Sequence, residues 1–101
     1  MRHRLLVDTS VPLGPPRVVH CQRERYHYYI GRPGPLGNPF IVDIHGTREQ
    51  VVAKHKAYVP EHPELLPLIL SLRGLVLGCW CGERPCHGHL YIRMANPGLL
   101  Q

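Results

Sequence analysis

The sequence predicts a small α/β domain: a single layered unit with a small mixed sheet, about three helices and long loops. Three observations predict it. Two β-prone runs, Arg17 to Cys21 and Tyr26 to Ile30, come before a proline-glycine loop. A capping-box pattern, Thr47-Arg48-Glu49-Gln50, opens an amphipathic stretch. An apolar run, Leu75 to Trp80, then leaves a helix through Gly74.

The elements follow in order. Residues 1–16 are expected to form an N-terminal arm, because Val11-Pro12-Leu13-Gly14-Pro15-Pro16 can continue neither a helix nor a central strand. Residues 17–101 then make the single α/β domain. The four residues Gln22 to Arg25 between the first two runs suit an antiparallel hairpin. Ile41 to Ile44 reads as a brief extended segment. After Thr47 a helix over about residues 48–59 places Val51, Val52, His55, Tyr58 and Val59 on one side, and Pro60 stops it. A second helix is expected near residues 64–73, entered through Pro63 and capped by Gly74, with Pro67 acceptable only in its first turn. The buried strand at 75–80 leads into a turn, Gly82-Glu83-Arg84-Pro85, and a last helix from about Cys86 to Asn96.

Composition narrows the class. A chain of 101 residues, 44% hydrophobic, fits one modest core, and its 11 prolines and 10 glycines imply rigid, ordered loops. The formal charge of +5, carried by 10 arginines and 2 lysines, favours phosphate-bearing partners, with nucleic acid among them. No uninterrupted apolar run approaches a membrane span; the longest, Leu65 to Leu72, is broken by Pro67 and Ser71. The N-terminus lacks the apolar core of a signal peptide, so a cytoplasmic setting is expected. In that setting the four cysteines, three of them within residues 79–86, read as thiols or metal ligands and not as a disulfide framework.

Two loops carry the chemistry. In Cys79-Trp80-Cys81-Gly82-Glu83-Arg84-Pro85-Cys86-His87-Gly88-His89, an extended strand puts Cys79 and Cys81 on one side, where both sulfurs could meet one ion. Cys86 and His89, returned by the turn, would complete a zinc tetrahedron. The competing reading is a ligand pocket beyond the end of a strand. There Cys86 or Cys81 would be the nucleophile, His87 a general acid or base, and the helix start a seat for an anion. A third reading makes the cysteines small apolar core side chains. In Gly31-Arg32-Pro33-Gly34-Pro35-Leu36-Gly37-Asn38-Pro39-Phe40, Arg32 offers a fork for phosphate or carboxylate, and Asn38 an amide, on a stiff backbone. This is no nucleotide P-loop, since G-x-x-x-x-G-K is missing. Equally, it could be a structural cover with Phe40 plugged into the core.

Those two loops, with Gly46-Thr47-Arg48-Glu49 and Leu72-Arg73-Gly74 between them, resemble an uncharacterised family of small bacteriophage and bacterial domains. Its members are described only as a domain of unknown function. The resemblance spans about residues 17–96 and implies that both loops belong to one site, without supplying a reaction. An acidic residue commonly follows Cys-His-Gly in that family, where this chain has His89. The change disfavours a mechanism needing a carboxylate there and gives a metal one more ligand.

The expected function is therefore a small ligand-binding domain, with an enzymatic role open, for a phosphorylated or nucleotide-like small anion. Arg32 and Asn38 position it, and Cys81, Cys86 and His87 bring the chemistry. The alternative is a zinc-stabilised interaction module that binds nucleic acid or a host protein. Either way the two loops are expected to meet at one sheet edge, provided that the strands ending at Ile30 and Trp80 run parallel and adjacent.

Overall fold

The computed structural model describes residues 7–81, 84 and 86–98; the expected turn at 82–85, Arg84 aside, and the first six residues lie outside them. Every residue of one strand, β3 (Val76–Cys79 in the numbering below), is buried. A strand so enclosed must satisfy its backbone on both flanks. β1 (Arg17–His20) and β2 (Tyr28–Tyr29) do this, giving the sheet order β1-β3-β2. Both ladders are parallel, with Val18 opposite Leu77 and Tyr29 opposite Gly78.

The α/β class, with three helices around a three-stranded sheet, is as expected. The pairing inside the sheet is corrected. The two N-terminal runs form no antiparallel hairpin, and parallel ladders replace the mixed pairing. A hairpin would leave one flank of β3 unbonded, whereas inserting β3 engages both. Backbone bonds from Cys21 to Cys79, His27 to Val76 and Ile30 to Gly78 (2.8–2.9 Å) extend the ladders. Between β1 and β2 the chain returns with Tyr26 lying across Gly78, where an added Cβ would sit 2.5 Å from the ring. The strand glycine marks this close crossing.

His27 ties the preceding segment to the sheet. Its Nδ1 accepts the Val76 N–H at 2.9 Å, so Nε2–H donates to the Val11 carbonyl at 3.0 Å.

The capping box forms as read. Thr47 accepts the Gln50 N–H, Gln50 accepts the Thr47 N–H at 2.8 Å, and α1 (Arg48–Tyr58) follows. Each such cap stabilises a helix by about 1 kcal/mol. α1 buries Val51 and His55. The second helix is shorter than expected: a 3-10 turn at Pro63–Leu65, then α2 (Leu66–Leu70). Two prolines explain it, because Pro63 and Pro67 fit only in first turns and so divide the segment. The helix is capped at Ser71 and not at the expected Gly74, which takes φ 78° in the turn that follows and donates its N–H to Asn96 Oδ1 at 2.9 Å. The segment expected to be extended at Ile41–Ile44 is a turn instead. The N–H groups of Ile44 and His45 both return to the Ile41 carbonyl, and Asp43 takes φ 73°.

The last helix, α3 (Gly88–Ala95), starts two residues later than expected. It lies close on the sheet: a Cβ on Gly88 would meet Ile30 Cδ1 at 2.4 Å and Val18 Cγ2 at 3.0 Å. Ile30, Leu36, Ile69, Leu72, Leu77 and Tyr91 make the centre of the core. No helix of the described residues is long and apolar enough to cross a membrane.

Candidate functional site

Because β2 and β3 run parallel and adjacent, the chain leaves both at the same end of the sheet. The two loops therefore meet. Between them lies a cavity of about 510 Å³, within the range of small-molecule sites. Arg32, Asn38 and Phe40 come to it from one loop, and Cys79, Trp80, Cys81, Arg84, Cys86 and His87 from the other. Arg48, at the start of α1, closes a third side. No carboxylate is among the described residues that line it.

The first loop is anchored from within. Leu36 is fully buried and is the apolar plug, while Phe40 is half-buried and packs edge-on against His45 and Tyr58. The Leu36 carbonyl accepts the Tyr91 hydroxyl at 2.9 Å. The Tyr91 proton is thus committed, and His55 Nε2–H donates to the Tyr91 oxygen at 2.8 Å. His55 is then neutral with a bare, buried Nδ1 that has no partner among the described residues. Burial, and then the neighbouring His87, push its pKa down from 6.5 to about 4.

Asn38 lines the cavity and is nonetheless bonded inward. Its Nδ2 donates to the Val51 carbonyl at 3.1 Å and its Oδ1 accepts the Phe40 N–H at 2.9 Å, so both ends hold the loop against α1. The amide therefore braces the loop, as a buried polar group must be satisfied. Asn38→Ala should cost about 2–4 kcal/mol in a denaturant titration, from two lost bonds and the donors and acceptors left unpaired. Arg32 is exposed; its Nη1 donates to the Asn38 carbonyl at 2.8 Å, which aims the guanidinium along the cavity rim.

On the other side, the sulfurs of Cys79, Cys81 and Cys86 all lie within 4.8 Å of one another and could hold a metal ion. The Cys79 and Cys86 sulfurs are 3.1 Å apart. Tetrahedral zinc, with Zn–S of about 2.3 Å, would space them by roughly 3.8 Å, so a small opening would admit it. His89 does not join this trio, which corrects the fourth ligand of the expected zinc set. It stands in the first turn of α3.

The three thiols differ sharply. Hydrogen bonds from the Cys79 and Cys86 thiols, together with the Arg48 guanidinium, hold the Cys81 thiol far below the usual range. Arg48 Nη1 donates to Cys81 Sγ at 3.0 Å. The same contacts push the partners up: Cys79 through its bond to Cys81, and Cys86 through its bonds to Cys79 and Cys81. Ionisation within the trio is thus favoured at Cys81, the half-exposed sulfur beside Arg48, while Cys79 and Cys86 are buried.

His87 is buried, and that burial lowers its pKa. Its Nε2–H donates to the Ile30 carbonyl at 2.9 Å, which leaves Nδ1 as acceptor 3.5 Å from Cys86 Sγ. Both ring nitrogens are engaged. His87 therefore orients Cys86 and joins the loops; it does not face a ligand as a free general base. Of the expected chemical residues, Cys81 alone presents a polarised atom to the cavity. Sequence reasoning missed Arg48, Arg84 and Trp80. Arg48 stood in plain view at the first position after the capping threonine, where a side chain lies beside whatever the helix start approaches.

No curated protein and no solved structure matches the chain. The family described as Domain of unknown function (DUF4326) matches residues 17–97, both loops and every strand and helix included. The chain belongs to that family.

Proposed function

We propose that the chain is a small-molecule-binding domain that takes a phosphate-bearing anion between its two loops, with the Cys81 sulfur as the reactive group at the cavity floor. One observation carries this reading. Arg32, Arg48 and Arg84 line a single cavity, with no carboxylate among its described lining residues. Arginines brought together cost repulsion unless an anion joins them, and their planar forks suit phosphate oxygens. The Cys81 thiolate partly offsets the Arg48 charge and leaves the rim arginines for the ligand.

Calorimetry with ribose 5-phosphate tests it. Binding should appear at low salt and weaken as salt rises. Arg32→Met and Arg84→Met should each weaken it by about tenfold, the loss of one charge-assisted bond, with little change in melting temperature. Absence of binding at low salt would end the proposal.

The second reading is a metal centre at Cys79, Cys81 and Cys86, favoured by the three converging sulfurs. Three protein ligands leave a fourth position for water or a ligand, the pattern of catalytic zinc more than of closed structural zinc. On this reading the basic surface would serve nucleic acid or a host protein. Arg25 would contribute little, since it is bonded to Ser10 through both its hydroxyl and its carbonyl. Purified protein should then carry about one equivalent of zinc, and zinc at a hundredfold excess over Kd should add about 2.7 kcal/mol of stability. A metal-free protein whose melting is indifferent to zinc and to chelator would remove this reading.

A further inference from the structure

Resting on the phosphate reading, a second feature points to what the phosphate is attached to. Trp80 is the sole tryptophan of the chain and stands about half exposed on the cavity wall. The other large exposed hydrophobic side chains among the described residues are aliphatic: Leu13, Ile44, Leu66 and Leu70. A large aromatic ring in water at the mouth of a pocket loses its main source of stabilisation unless something covers it.

The ring is held, not loose. His20 meets it in an edge-on contact, with centroids 5.8 Å apart and planes at 77°. The backbone beneath is held too, since Arg84 Nη2 donates to the Trp80 carbonyl at 3.4 Å. His20 opens in turn on a second cavity of about 630 Å³, lined also by Arg17, Arg23, Glu24, Cys81 and Arg84; Glu24 pairs with Arg17 at 3.1 Å, which leaves Arg23 and Arg84 as its unmatched arginines. Cys81 and Arg84 belong to both cavities and form the wall between them. Trp80 thus offers a flat surface beside that wall, with arginines on either side.

A stacking surface between phosphate-seeking forks selects a molecule that is flat and apolar at one end and anionic at the other. We infer that the occupant is a free nucleotide, its phosphate among Arg32, Arg48 and Arg84 and its base stacked on Trp80. Every base has a π-face, so this contact sets the class of ligand more than the identity of the base. Other phosphorylated molecules of similar size, the sugar phosphates, lack the flat group and would leave Trp80 bare.

The test compares 5′-nucleoside monophosphates with ribose 5-phosphate. Because Trp80 is the sole tryptophan, its fluorescence reports on this wall alone. Nucleotides should quench it and bind about tenfold tighter than ribose 5-phosphate by calorimetry. Trp80→Leu should erase that advantage, so that on the variant nucleotides and ribose 5-phosphate bind alike, and Trp80→Phe should keep most of it. Should ribose 5-phosphate bind while nucleotides bind no tighter, or Trp80→Leu leave the preference intact, the stacking inference is overturned and the phosphate reading stands. If neither ligand binds, both fail. A short single-stranded oligonucleotide that binds tightly where mononucleotides do not would overturn the assignment to a free nucleotide.

Discussion

Iodoacetamide at pH 6, applied to metal-free protein, should alkylate Cys81 several-fold faster than Cys21. Both sulfurs are partly exposed, so access does not separate them. Charge does. An ordinary thiol with pKa near 8.5 is ionised at roughly one part in 300 at pH 6. Cys81, held low by the Cys79 and Cys86 thiols and by Arg48, is largely thiolate there. Intrinsic nucleophilicity falls as pKa falls, with a Brønsted slope of about 0.4–0.5, so most of that factor is given back and the net gain is a few-fold, at most about tenfold. Cys79 and Cys86 are buried and protonated and should react slowly. Arg48→Met removes the guanidinium 3.0 Å from the sulfur, so it should raise the pH below which Cys81 alkylation falls off. Peptide mapping with mass spectrometry identifies the labelled residue. Equal labelling of Cys21 and Cys81 would show that no charge is concentrated on Cys81. Protection by added zinc would favour the metal centre, and protection by a phosphorylated ligand the pocket.

What the sequence disclosed and what it hid divide along physical lines. The capping box and the proline stops are local devices, and each formed where the residues placed it. The joining of the two loops was legible as well, because two β-prone runs each ending in such a loop deliver both to one edge once the strands are parallel. Strand order was not legible. Whether residues 17–21 pair with 26–30 or with 76–79 depends on a partner more than 45 residues away, and no turn signal between the first two runs decided it. One cue was available: Gly78 inside an otherwise apolar run marked a backbone or side chain passing close by, which proved to be Tyr26.

The site residues show the same division. Residue type named the cysteines, Arg32 and Asn38 as polar groups on stiff loops, but only tertiary contacts decide which atoms remain open. Asn38 and His87 line the cavity with hydrogen bonds already made inside the fold, whereas Arg48 and Arg84, to which residue type assigned no site role, also reach it. His55 was legible as a helix-face residue near the core, yet its bond to Tyr91, 36 residues away, was not.

That His55 bond has a measurable consequence in acid. The imidazole is 1% exposed and neutral, with Nε2–H given to Tyr91 and Nδ1 unpaired. Its folded pKa, about 4, lies below the ordinary 6.5. Between those values the unfolded chain binds a proton that the folded chain refuses, so stability falls as pH falls. The contribution is complete above about pH 6.5, declines by about 1.4 kcal/mol per pH unit, and reaches a loss on the order of 3 kcal/mol near pH 4. His87, lowered by its own burial, acts in the same direction. The lowered carboxylates, Asp8 and Glu64, contribute only further down, as pH drops through their folded values below 3.8 and 4.5. Cys81, whose thiol is held far below the ordinary range, adds a slope of the same sign throughout the window from pH 6.5 to 4.5, so the histidine part is read as the difference between the native chain and a variant. Urea titrations across that window should show a steady decline for the native chain. His55→Phe keeps a ring in the core and leaves the Tyr91 hydroxyl on the Leu36 carbonyl, so it should flatten the decline by roughly one proton's slope, whatever it costs at neutral pH. An unchanged slope in that variant would mean that His55 titrates alike in the folded and unfolded chains, and that the anchoring of the first loop does not depend on its neutral form.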